Sequence, residues 1–281
     1  MALLALCLAI FSATFTPLKL GDHLLSMGNP EEAITEYKRF IFFSDSPEEI
    51  KLGMMRISEA YRRMGRWDLA ADALHDAIPF MRDRSEIAVA RIRSALDMIC
   101  AGGYSSAKFD LLEVLNSDAD RSLKIRARFL LGVTGIYEGK RSQSAGDLIP
   151  SLREMGVDEG DISKLNRLLL TPPAGRKSPK TAAMLSTILP GAGQIYAGHL
   201  KDGINAFLLN GAILLWAWRE LKSKDLKDGL LILTLILPRY YLGNIRKSRR
   251  LAESRNAQLE LERSRRILEE IKGILEGEVS R

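Results

Sequence analysis

Cysteine and histidine are scarce in this chain, and the shortage excludes several chemistries at the outset. Two cysteines in 281 residues, Cys7 and Cys100, cannot build a disulfide framework. The three histidines, His23, His75 and His199, have no Cys, Asp or Glu at metal-ligand spacing, and H-E-x-x-H is absent. No phosphate-binding loop, nucleophile elbow, kinase signature set or carboxylate pair occurs. The expectation is a non-enzymatic protein with no catalytic, cofactor-binding or metal-binding residues and no cofactor. Charge of one sign is also in short excess, with 41 basic against 35 acidic residues and a net charge of +6. Arg62, Arg63, Arg66, Arg82 and Arg84 alternate with acids on predicted helices, without the interleaved aromatics that stack bases. No nucleic-acid partner is expected.

What the chain has is segmentation. An apolar stretch from Ala2 to Phe15 is too short to span a bilayer and has the length of a signal-peptide core, so residues 1–16 are expected to be an export signal. No basic residue precedes the stretch, and an apolar first helix capping the next domain is the alternative. Beyond it, Gly28, Gly65, Gly102 and Gly139 are spaced 37 residues apart, each between two amphipathic helical patterns. A helix stops at each glycine, which takes the left-handed conformation, and another starts.

These units resemble the tetratricopeptide repeat across residues 17–158. The small residue five places after the glycine stands as Ala33, Ala70 and Ala107, and the large one nine places after it as Tyr37, Leu74 and Leu111. Seven places before it stand Gly21, Ser58, Ala95 and Gly132. The period is three longer than usual for that family, and Ser144 replaces alanine in a degenerate fourth unit. The resemblance implies an all-α solenoid of helical hairpins with a concave face that binds a peptide or protein. Family geometry places Met55, Glu59, Arg62 and Arg63 on that face. In the third and fourth units the apolar residues of the first helices, Ile92, Leu96 and Ile99 and Phe129, Val133 and Ile136, fit the family's core pattern best if the turn is one residue shorter, which adds Arg93, Asp97, Thr134 and Tyr137 to the concave face. The plain alternative is that these side chains are merely solvated, and Arg62→Ala is expected to leave stability nearly unchanged.

Residues 159–180, containing T-P-P-A-G-R-K-S-P-K, read as a linker. Residues 181–245 carry three apolar stretches, Thr181 to Leu200, Gly203 to Trp218 and Gly229 to Gly243, the last two with aromatic ends and the final one followed by Arg246, Lys247, Arg249 and Arg250. That pattern predicts a membrane helical hairpin. The first stretch is interrupted by Pro190, Gly191, Gly193, Gln194, Tyr196 and Gly198, which resemble the P-G-x-G-Q-x-Y-x-G signature of small bacterial membrane domains similar to the two-transmembrane-helix type. A dinucleotide loop is excluded there, because no strand precedes it and no third glycine occupies the required position, where Tyr196 stands. The glycines are expected to serve a turn or a close helix contact. Residues 246–281 form a charged amphipathic helix with Leu261, Leu268 and Leu275 at sevenfold spacing, able to lie on lipid, pair with a second copy or dock on the repeats.

Together these features predict a scaffold or adaptor at a bacterial inner membrane, its repeats facing the periplasm, with a protein or peptide in the repeat groove and the lipid bilayer as partners. Self-association is compatible with them. The alternative role is an accessory subunit of a transport, insertion or lipid-handling complex, with the repeats as its docking module.

Overall fold

The computed structural model describes residues 16–223 and 226–279. The expected export signal lies outside the described residues except for Thr16. Among the described residues every regular element is a helix, and two compact units are formed, one of residues 1–170 with 270–281 and one of residues 171–269.

The first unit is a succession of helices: α1 (Pro17–Ser26), α2 (Pro30–Phe42), α3 (Pro47–Arg63), α4 (Trp67–Ala77), α5 (Arg84–Ala101), α6 (Tyr104–Asn116), α7 (Arg121–Tyr137), α8 (Arg141–Glu154) and α9 (Glu159–Leu170). Each packs on the one before it. Local sequence sets the boundaries. Proline opens α1, α2 and α3, where its missing N–H costs nothing, and Asp83 caps α5 by accepting the Ser85 N–H at 3.2 Å. The four spaced glycines all lie at positive φ, between 70° and 84°. At each one the glycine N–H reaches back three residues and the next N–H five, as in Gly65 to Arg62 and Arg66 to Tyr61. This is one capping motif used four times, and it satisfies carbonyls the helix end would leave unpaired. The turn is therefore not shorter in the third and fourth units, which corrects the register expected there.

Between paired helices the fit is close. Ala33, Ala70, Ala107 and Ser144 are fully buried, as are Tyr37, Leu111 and Leu148, with Leu74 nearly so. A Cβ added at Gly132 would fall 2.4 Å from Leu148 Cγ, and one at Gly21 would fall 2.5 Å from the Tyr37 ring. Ser58 donates to the Ala70 carbonyl at 2.8 Å, and in the fourth unit Ser144 donates to the Gly132 carbonyl at 2.6 Å. The serine has changed helices while the cross-helix bond is kept, which explains the departure at Ser144.

Residues 159–170, expected as part of the linker, form α9, which buries Ile162, Leu165 and Leu169 and packs on α8. An array of this kind needs its last apolar face covered, and α9 covers it. Lys164 pairs with Glu270 at 2.7 Å, and Ile271 and Ile274 are buried in the same unit.

The second unit contains α10 (Pro179–Ile188), α11 (Ala192–Tyr196), α12 (Leu200–Lys222), α13 (Leu226–Leu231), a π-helical turn (Ile232–Ile236) and the start of α14 (Leu237–Val279). The first apolar stretch is broken as expected, with Pro190 and Gly191 between α10 and α11. The membrane hairpin and the inner-membrane location are corrected: among the described residues no helix is long and apolar enough to cross a membrane. The 23-residue α12 carries Asn205 and Asn210 along its run and Arg219, Glu220 and Lys222 at its end. The third apolar stretch is divided among α13, the π turn and a charge-rich helix. Phe207, Leu208, Leu215 and Trp218 are nonetheless exposed along α12.

Candidate functional site

Helices α5 and α7 are the first helices of the third and fourth units, and they pack side by side. Between them runs a groove of 340 Å³ walled by Val89, Ile92 and Leu96 from α5 and by Leu123, Phe129 and Leu130 from α7. Arg93 and Arg126 flank it, both exposed. Neither makes an ion pair or hydrogen bond among the described residues, so the groove combines an apolar floor with two uncommitted guanidinium groups. Such a surface offers planar donors to carboxylates and dry area to an aliphatic or aromatic side chain.

Of the eight residues assigned to the concave face by sequence, Arg93 lines this groove and the others are engaged elsewhere. Met55 packs against the cluster of Ala77, Met81 and Ala90. Arg62 donates to both carboxylate oxygens of Asp97, Nε at 2.8 and 3.0 Å and Nη2 at 2.9 Å, and Nη1 reaches Glu59 at 3.3 Å. Asp97 is almost completely buried, so this pair ties α3 to α5 and is no free surface charge. Its hydrogen bonds, opposed by partial burial, hold the Arg62 guanidinium above its ordinary pKa. Arg63 donates to the Leu25 carbonyl at 3.1 Å, placing a cation on the α1 C-terminus, where the helix dipole favours it. Thr134 is buried with its hydroxyl on the Leu130 carbonyl at 2.7 Å. Tyr137 stacks on Tyr104, ring centroids 5.5 Å apart.

Sequence reasoning missed Arg126 and assigned Phe129 to the interior. A uniform register would have found Phe129, since Met55, Ile92 and Phe129 are 37 residues apart; Arg126 stands 37 residues after Val89, whose apolar side chain does not announce a charge there.

A second polar cluster joins the second and third units. His75 Nε2 lies 2.8 Å from Asp110 Oδ2 and 3.0 Å from Ser94 Oγ, and Ser94 donates to the same carboxylate at 2.7 Å. Arg91 adds a contact at 3.3 Å. The residue types are those of a catalytic triad, and the geometry is not. A triad needs the carboxylate on one ring nitrogen and the serine on the other, whereas here both meet Nε2. Ser94 and Asp110 are also fully buried, out of reach of a substrate. The Asp110 hydrogen bond, only partly offset by burial, raises the pKa of His75 and favours its charged form. Burial, with Asp97 nearby, pushes the Cys100 thiol up, away from a reactive thiolate. Among the described residues no group of three or more His, Cys, Asp or Glu side chains is arranged for a metal ion.

In the second unit the P-G-A-G-Q-I-Y-A-G run builds a polar knot. A Cβ at Gly193 would fall 1.9 Å from the Ala182 carbonyl oxygen, and one at Gly191 would fall 2.1 Å from that of Gly203. The Gly193 N–H donates to Ser186 Oγ at 3.1 Å, and Ser186 donates to Gln194 Oε1 at 3.0 Å. Fully buried Gln194 then donates to the Asn244 side chain and to its carbonyl at 3.3 Å. Tyr196 accepts the Ser178 N–H at 3.2 Å and lies under Lys177. Gly198 ends α11 with the same capping motif as the repeat glycines. Gly193 and Gln194 are thus committed to packing, Gly191 to a close approach and Gly198 to a turn, while Pro190 stands in the break.

No family model matches this chain, and no curated protein matches it.

Proposed function

We propose that this chain is a non-enzymatic scaffold whose helical repeats, of the tetratricopeptide type, hold an acidic peptide segment of another protein. The groove between α5 and α7 carries the reading: an apolar floor of Ile92, Leu96 and Phe129 beside Arg93 and Arg126, which have no partner among the described residues. An aliphatic or aromatic anchor fits the floor, and flanking carboxylates meet the guanidinium groups. Burying one such anchor contributes about 2 kcal/mol, and each exposed ion pair adds roughly 0–1 kcal/mol. The groove alone therefore favours a weak, reversible partner, with tighter binding requiring further anchors along the array.

Selection of displayed random peptides on the immobilised full chain tests the reading. The expected peptides carry Leu, Phe or Trp flanked by Asp or Glu, and an Arg93→Glu, Arg126→Glu double variant with an unchanged melting temperature loses them. Recovery of the same peptides by the wild type and the double variant would defeat the reading.

A further inference from the structure

The second unit contains a cavity of 430 Å³ between α12 and α14, in the size range of small-molecule sites. Asn210 from α12 and Asn244 from α14 form part of its lining, 2% and 6% exposed. Each is half satisfied. Asn210 Nδ2 donates to the Ala206 carbonyl at 2.8 Å, leaving Oδ1 without a partner. Asn244 Oδ1 accepts from Gln194, leaving Nδ2 without one. A buried polar atom with no partner costs about 1–3 kcal/mol, so the free protein holds one orphan acceptor and one orphan donor in the wall of the same cavity.

Asp202, Arg239 and Lys247 bring charge to the wall. Lys247 is paired with Asp202 at 2.7 Å and their charges compensate. Arg239, exposed at the cavity, makes no ion pair or hydrogen bond among the described residues. Ala206 and Leu209 supply apolar surface.

We infer that this cavity binds a small carboxylate carrying an adjacent amide, the chemistry shared by an N-acylated amino acid and the free carboxyl end of a peptide. The ligand amide N–H supplies the donor that Asn210 Oδ1 lacks, and its C=O supplies the acceptor that Asn244 Nδ2 lacks. The carboxylate meets Arg239, and a short aliphatic side chain rests on Leu209. Both orphan atoms are closed off from solvent in the free protein, so binding requires the two amides to turn toward the cavity, Asn244 exchanging its bond to Gln194 for the ligand. The site is independent of the repeat groove: it lies in the other unit and uses none of the groove's residues.

Calorimetric titration of the full chain with N-acetyl-L-alanine, N-acetyl-L-alaninamide, propionate and a hexapeptide ending in a free alanine carboxylate tests the inference. Saturable binding is expected for N-acetyl-L-alanine and the hexapeptide, weakened roughly tenfold or more for the carboxamide and propionate, each of which forfeits part of the hydrogen bonding. A tighter hexapeptide identifies a protein terminus as the natural source, and equal affinities identify a free small molecule. Arg239→Gln should lose the preference for carboxylate over carboxamide. Asn210→Leu, which removes the orphan acceptor at similar volume, should abolish binding while raising the melting temperature, a pairing that a merely structural asparagine does not give. No saturable heat with any probe, an unchanged carboxylate preference in Arg239→Gln, or a lower melting temperature for Asn210→Leu would overturn it.

Discussion

Arg62 looks like a surface arginine in the sequence, and replacing it tests whether the structure has placed it correctly. Its guanidinium makes three hydrogen bonds to Asp97, whose side chain is 5% exposed. Arg62→Ala would leave that carboxylate buried and unpaired. Breaking a fully buried ion pair from one side costs about 3–5 kcal/mol. Arg62 is itself 22% exposed, so water relieves part of the loss and the lower end, about 3 kcal/mol, is expected. Replacing both partners together, Arg62→Met with Asp97→Leu, should recover most of that loss, because no charge is then stranded. The assay must report on the repeats alone, since two units need not unfold as one. Trp67 at the start of α4 serves: with Trp216 and Trp218 changed to Phe, it is the only tryptophan left. Urea titration followed by Trp67 fluorescence then gives the stability of the array. A loss under about 0.5 kcal/mol for Arg62→Ala, the range of ordinary surface substitutions, would refute the reasoning.

The remaining predictions use the same reporter or its counterpart in the second unit. Because Asp110 raises the pKa of His75 in the folded state, that stabilisation is complete below the ordinary histidine value of about 6.5 and is lost as pH rises through the raised one. His75→Asn should therefore lower stability more at a pH of about 5.5 than at about 9, and a constant penalty would contradict the assignment. Ser144→Ala should cost about 0.5–1.5 kcal/mol by deleting the bond to Gly132, measured by urea titration, and no loss would remove its cross-helix role. Gly193→Ala should prevent the second unit from folding, since the added Cβ meets backbone, whereas Gly146→Ala, in open space on α8, should stabilise the repeats by up to about 1 kcal/mol. Similar melting curves for the two glycine variants would show that the close approach is not there.

The helical repeats were legible because their signal is local. A glycine at positive φ, a small residue five places on and a large one nine places on are requirements of one turn and one helix contact, so they recur at fixed spacing. What the spacing conceals is which polar residues are consumed between units. Arg62 and Asp97, or His75 and Asp110, are each 35 residues apart, and nothing in either segment announces the other. The shortened turn is a similar misjudgement: it assumes that Ile92, Leu96 and Phe129 all belong to the core, whereas Ile92 is buried there but Leu96 is exposed and Phe129 only half-buried on the open face. An array that exposes apolar side chains in a groove violates the rule that was used to find its helices, and the violation lies at the candidate site.

The second unit inverts this lesson. Two of its apolar stretches, Gly203 to Trp218 and Gly229 to Gly243, read as a membrane hairpin because they are leucine-rich with aromatic ends, but the unit they help to build has a polar core. Ser186, Gln194 and Asn210 lie within the three apolar stretches, Asn244 and Ser248 just after the third, and all five are buried. Four have partners that account for their burial: Ser186 with Gly193 and Gln194, Gln194 with Asn244, and Ser248 with the Ala182 carbonyl at 3.2 Å. A core this polar has to be fixed by hydrogen bonds, and the glycines are what let the backbones come close enough to make them. Among the described residues this unit's side-chain network stays open at one atom of Asn210, one of Asn244 and at Arg255 Nε, and the two asparagines line the same cavity. Replacing both asparagines by leucine would be the simpler way to fill a core, and their open positions lie on facing helices beside Arg239, which has no partner among the described residues; there this unit's packing leaves room for the ligand inferred above.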